Sequence, residues 1–207
     1  TKYFLGEKMK KSILAVLLTL ALVSPVFAAE QGSIDIIGKI GCAVNSQEVL
    51  VLNEYGYVDG YKKNPALSIA VEGLYYVLPE LPLGLGINYR FDSKHTKPSG
   101  EWGEFESGVT NIYLTVKPTA KIDSNIFTAL YAIGQIGYGL NRLSSTHGSK
   151  IDSNGLYWGL GAGTEIMNDF IFEFIFSTNY WSCKMYSTTY DMENTALTFF
   201  AGYKFNI

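Results

Sequence analysis

The chain has 207 residues, which suits one domain. Its formal net charge is −3, an acidic balance that argues against nucleic-acid binding. It carries 21 Gly, 15 Tyr and 12 Phe but only 17% charged residues, against a usual ~25%. Mean hydropathy is only +0.10. A chain rich in aromatics yet not hydrophobic overall fits strands with one face in lipid and the other wet.

The N-terminus reads as an export signal. Lys10 and Lys11 follow Met9, an apolar run spans Ile13 to Val23, and Pro25 precedes Val26-Phe27-Ala28 with small residues at the −3 and −1 positions. A basic n-region, a short apolar region and a small-residue site make a secretory signal peptide. The alternative, a membrane anchor, needs roughly 20 apolar residues, more than this run supplies. Cleavage is expected after Ala28, with the eight residues before Met9 read as upstream sequence. Removing residues 1–28 takes away four lysines and one acid, which leaves −6 on a mature chain of 29–207.

From there the chain alternates with period two, the signature of strands with two unlike faces. In 34–42, Ile34, Ile36, Gly38, Ile40 and Cys42 alternate with Asp35, Ile37, Lys39 and Gly41. In 67–77, Leu67, Ile69, Val71, Gly73, Tyr75 and Val77 alternate with Ser68, Ala70, Glu72, Leu74 and Tyr76. In 83–92 an apolar row from Leu83 to Phe91 alternates with Gly84, Gly86, Asn88, Arg90 and Asp92. In 111–117, Ile112, Leu114 and Val116 alternate with Asn111, Tyr113, Thr115 and Lys117.

The second half repeats the pattern. Residues 126–140 are mostly apolar with ambiguous facing; the better reading puts Leu130, Ile136, Tyr138 and Leu140 outside and Gln135 inside. In 156–166, Leu156, Trp158 and Leu160 alternate with Tyr157, Gly159, Gly161, Gly163 and Glu165. Phe170, Phe172, Phe174 and Phe176 alternate with Ile171, Glu173, Ile175 and Ser177. Last, Leu197, Phe199, Ala201, Tyr203, Phe205 and Ile207 alternate with Thr198, Gly202, Lys204 and Asn206.

These are eight strands, most of about ten residues, the length a tilted strand needs to cross a bilayer. The connections alternate too. Segments 45–64, 93–107, 141–153 and 183–193 are long and polar, whereas 79–82, 118–125 and 167–169 are short. That is the connection pattern of outer-membrane barrels. The expected fold is all-β: a transmembrane antiparallel up-and-down β-barrel of eight strands. A soluble barrel of lipocalin type would also alternate, with its apolar face inward. Strand length, the all-Phe row and the glycine-crowded opposite face favour lipid outside.

The C-terminal segment Phe200-Ala201-Gly202-Tyr203-Lys204-Phe205-Asn206-Ile207 resembles the β-signal read by the barrel assembly machinery, in Gly202, the aromatic Phe205 and the hydrophobic final residue. It departs from the pattern in ending on Ile207 rather than Phe and in opening on Phe200 rather than a polar residue. With the eight strands, the chain over about 31–207 resembles the small outer-membrane barrels of the OmpA-like transmembrane, OmpX and opacity-protein type. The resemblance is architectural. It implies a bacterial outer-membrane location, with outer-membrane lipids and the assembly machinery as partners.

By parity, the acids Asp35, Glu72, Asp92, Glu165 and Glu173 and the bases Lys39, Arg90, Lys117 and Lys204 face a lumen about wide enough only for side chains. Unpaired buried charge is costly, so a paired network that plugs the lumen is expected. The competing reading is a narrow gated ion path, a small porin. His95 and His147 lie in outer loops, with no partner at metal-ligand spacing, and neither a phosphate loop nor a His-Glu-x-x-His site occurs. No cofactor and no metal are expected. His147-Gly148-Ser149 matches the His-x-Ser pair of barrel lipid A deacylases, but Lys150 stands where that family has Asn, and Glu165 has the wrong facing to orient the His. Hence no enzyme is expected. Cys42 and Cys183 are placed near the outer ends of the first and seventh strands, too far apart to favour a disulfide. Aromatics of the outer loops 45–64, 93–107, 141–153 and 183–193 either extend the interfacial girdle or anchor an extracellular partner.

Overall fold

The computed structural model describes residues 32–52, 58–63, 65–78, 80–96, 105–122, 124, 126–145, 150–185 and 188–207. At 45–52, 58–63, 92–96, 105–107, 143–145, 150–151, 183–185 and 188–190 it describes the backbone alone. The expected leader 1–28, with His147 and Ser149, lies outside the described residues. So do the side chains of Asp92, His95 and Cys183.

Eight long strands are present among the described residues: β1 (Ile34–Leu52), β2 (Ala66–Leu78), β3 (Leu81–Thr96), β4 (Phe105–Val116), β5 (Phe127–Ser145), β6 (Lys150–Ile166), β7 (Phe170–Met185) and β8 (Thr188–Asn206). Each is antiparallel to its neighbours, and β1 pairs with both β2 and β8, which closes the sheet. The closure is staggered. Stepping sideways from Lys39 through Ala70, Asn88, Asn111, Gly139, Gly155, Trp181 and Met192 returns to β1 at Leu50. This shear tilts the strands and fixes a narrow lumen.

The alternation in the sequence decides the two faces. Ile34, Ile36, Ile40, Leu85, Ile112, Leu114, Ile136 and the row Phe170, Phe172, Phe174, Phe176 are exposed on the outer wall. Asp35, Ile37, Lys39, Glu72, Leu74, Tyr113, Gln135, Tyr157, Ile171 and Glu173 are buried inside. The ambiguous stretch resolves as expected: Leu130, Ile136, Tyr138 and Leu140 point out, and Gln135 points in.

At the end where β1 begins and β8 ends the turns are short. Met167 (φ 53°) and Asn168 (φ 68°) both adopt left-handed backbone between Ile166 and Phe170, the geometry whose twist suits a tight hairpin. The expected turn 118–125 narrows to the segment between Lys121 and Phe127. A short strand at Thr119–Lys121 carries the register of β4 against β5 past Pro118, pairing Thr119 with Tyr131 after Val116 with Gly134. Pro118 has no N–H to give the ladder.

At the opposite end the structure corrects the expected loops. β1 continues to Leu52 and pairs with a further strand, Val58–Lys63, inside 45–64. Likewise β3 reaches Thr96, β4 begins at Phe105, β5 runs to Ser145 and β6 begins at Lys150. β7 and β8 approach within two residues of each other, at Met185 and Thr188. The hydrogen-bonded ladder continues where the outward apolar row stops, so a search for apolar alternation ends the strands too early. For the same reason Cys42 sits in the middle of β1 and not at its outer end. It is free and exposed on the outer wall.

Candidate functional site in the barrel lumen

Four inward side chains meet at the middle of the lumen. Lys39 comes from β1, Glu72 from β2, Glu173 from β7, and Lys117 from the residue that follows β4. Lys39 Nζ lies 2.5 Å from Glu72 Oε1 and 2.8 Å from Glu173 Oε2. Lys117 Nζ lies 2.6 Å from Glu173 Oε1 and also contacts Glu72 Oε2. Each lysine thus bridges both glutamates in a closed ring with no net charge. Its side chains are buried almost completely.

Neighbouring groups fill the remaining valences. Tyr113 donates its hydroxyl to Glu72 at 2.9 Å, and Tyr131 donates to Glu173 at 3.0 Å. Gln135 Nε2 donates to Glu72 at 3.2 Å, and its Oε1 accepts from Tyr157 at 2.6 Å. The ammonium groups of Lys39 and Lys117 stand 5.2 Å and 5.4 Å from the ring centres of Phe200 and Tyr131, within reach of cation–π attraction.

The tyrosines are admitted by glycines opposite them. Gly86 pairs with Tyr113 and Gly163 with Tyr131 across the ladder. A Cβ at Gly86 would stand 2.5 Å from the Tyr113 ring, and one at Gly163 would stand 2.6 Å from the Tyr131 ring. Gly202, opposite Lys39, leaves comparable room: a Cβ there would meet Lys39 Cγ at 2.8 Å. Phe205 and Ile207, the other two residues of the expected assembly signal, are exposed on the outer wall.

Below the ring, toward the short turns, Ile37, Leu74 and Ile171 form an apolar layer. Beneath it is a second charged group. Lys204 Nζ lies 2.7 Å from Glu165 and 3.9 Å from Asp35, and Tyr76 donates to Asp35 at 2.6 Å. Above the ring, Arg90 Nη2 donates to Asn194 Oδ1 at 2.9 Å. The nine expected lumen residues therefore separate. Four form the ring, three form the lower group, Arg90 stands above, and the side chain of Asp92 is outside the described residues.

The upper lumen is polar but less well satisfied. Ser68 Oγ, the Oδ1 atoms of Asn88, Asn111 and Asn179, both amide atoms of Asn141, and Trp181 Nε1 have no partner among the described residues. Buried polar groups in a roomy polar site are normally met by water.

Parity made Tyr76 and Tyr113 legible as inward residues, but not as partners of the charges, and Tyr131 lay in the stretch of ambiguous facing. For Tyr113 and Tyr131 the available signal was a glycine across the ladder, and it requires the register to be known.

The architecture has known counterparts. Neisserial surface protein A is 12% identical, with 83% of this chain and 97% of that one covered and a TM-score of 0.52. Outer membrane protein AlkL is 13% identical, with 88% and 95% covered and a TM-score of 0.50. The attachment invasion locus protein Ail of Yersinia pestis is 17% identical, with 84% and 99% covered and a TM-score of 0.42. At these identities the likeness to the first two concerns the fold alone. No curated protein matches the chain in sequence. The model of the outer membrane protein beta-barrel domain matches residues 13–205. On that match and the closed eight-stranded barrel, the chain belongs to the outer membrane protein beta-barrel domain family, proteins of the bacterial outer membrane.

Proposed function

We propose that this barrel serves a structural or surface-interaction role in the outer membrane, and that its lumen is closed to ions. The observation that carries the reading is the ring of Lys39, Glu72, Lys117 and Glu173, which crosses the lumen with each charge paired twice. An ion would have to displace those pairs and lose its own hydration in a low-dielectric space, both costly. The apolar layer of Ile37, Leu74 and Ile171 beneath it is a second barrier. On this reading the protein is not an enzyme. It reaches the membrane through a signal peptide ending at Ala28, and Gly202, Phe205 and Ile207 address it to the assembly machinery. An extracellular partner would meet the hairpins at the outer end.

A small porin is the second reading, favoured by the unsatisfied polar atoms above the ring. A lumen already wetted to that depth would conduct if the ring and the layer below it yielded. Potassium release from loaded vesicles tests the ring. Wild type should release nothing above empty vesicles. Lys39→Ser combined with Glu72→Ser and Leu74→Ser, which removes one charge of each sign and opens the apolar layer beneath, should leak. A leaking wild type would overturn the closed-lumen reading.

A further inference from the structure

Above the lipid-facing belt the outer wall carries a groove of about 380 Å³ over β3 to β6. Its floor is Gly108 and Thr110 on β4, and its flanks are Tyr89 on β3 and Leu140 on β5. Tyr89, Thr110, Leu140 and Asn154 form one row across the ladder, and Gly108, Arg142 and Asp152 form the next outward. In the lower row Tyr89 and Leu140 continue the exposed belt of Ile87, Ile112 and Tyr138, with Thr110 and Asn154 between and beside them. The upper row is charged.

Arg142 is the one cation on the outer rim among the described side chains; Asp191 and Glu193 stand elsewhere on it. Its side chain is 63% exposed and meets Asp152, itself 75% exposed, by a single Nε–Oδ1 contact of 3.4 Å. So open a pair contributes little, and among the described residues no bond holds the two Nη groups. A guanidinium presented in that way suits a phosphate, which its planar fork recognises better than a point charge would.

We infer that this groove binds one phosphorylated lipid of the outer leaflet, with acyl chain against Tyr89 and Leu140 and phosphate on Arg142. The order along the wall, apolar below and cationic above, is the order of a lipid seated with its headgroup outward. Gly108 gives the depth, since a side chain there would fill the floor. Asp152 opposes the phosphate and swings aside when it binds.

Native mass spectrometry of the folded full chain in maltoside micelles tests this, with dimyristoylphosphatidic acid as the probe. Wild type should retain one copy. Arg142→Gln should lower retention about tenfold, the scale of a lost charge-assisted hydrogen bond, and Asp152→Asn should raise it. Dimyristoylglycerol, which lacks the phosphate, should bind as weakly as the probe binds Arg142→Gln, and inorganic phosphate should not compete. Gly108→Leu should also abolish retention; its heat-modifiable gel shift reports folding, and the two rim variants decide the matter if it does not fold. Equal retention by wild type and Arg142→Gln would overturn the inference, as would equal binding of dimyristoylglycerol. Displacement by inorganic phosphate would instead assign the rim to soluble anions and equally overturn it. None of these substitutions touches the lumen ring, so the outcome is independent of whether the barrel conducts.

Discussion

Glu72 and Glu173 occupy similar places: each receives two lysines and one tyrosine hydroxyl, and Glu72 also accepts from Gln135. The ring is neutral as a whole, so its members depend on one another. Lys117→Met alone leaves two glutamates facing one lysine. Uncompensated buried charge costs about 3–5 kcal/mol, and urea unfolding in lipid vesicles should show a loss of that order. Lys117→Met with Glu173→Gln leaves the Lys39–Glu72 pair intact, so the double variant should lose less than the two single losses added together. Strict additivity would mean that the ring is not a coupled unit. The glycines beside the tyrosines are also sensitive. Gly163→Ala presses a methyl on the Tyr131 ring and should cost about 1–3 kcal/mol as overpacking, while Gly38→Ala, where nothing lies within 4 Å, should cost far less. The same unfolding measurement compares them.

The strands show which parts of this arrangement were written locally. Facing could be read because a strand in lipid needs every second residue apolar, and Leu85, Leu114 and Phe174 supply that row. Asp35, Lys39, Glu72, Arg90, Lys117, Glu173 and Lys204 fall inside by the same count, with Glu165 half-buried beside Lys204. The pairing among them could not be read. It depends on shear, which brings Lys39 on β1 to Glu173 on β7, a strand that β1 does not adjoin, and no local pattern encodes it. Strand ends escape that count for the opposite reason: the ladder persists into polar sequence, as at Asn45-Ser46-Gln47-Glu48 in β1. The belt itself is testable. Leu114 is 59% exposed, with Leu85 and Ile136 beside it across the ladder. Leu114→Arg should destabilise the barrel by about 2–4 kcal/mol, the cost of a cation on the lipid face near the midplane. Replacement of Leu114 by Ile should be close to neutral, and vesicle unfolding titrations separate the two. An unaffected Leu114→Arg would remove that strand face from the lipid.

At the scale of the whole molecule, the barrel divides into levels. The end with the short turns holds the group of Asp35, Glu165 and Lys204, and an apolar layer separates it from the ring. The other half holds amide and hydroxyl groups that call for water. On the proposed reading the lumen is wet from outside and dry at its waist, the ring. The proposed closure to ions is then a property of the assembled barrel, since the members of the ring come from four separate segments. Single-channel recording measures it most directly. The full chain would be refolded, shown to be heat-modifiable on a gel, and inserted into a planar bilayer. A folded barrel that inserts and stays silent is the expected result. Steady, reproducible current steps from the wild-type chain would contradict it.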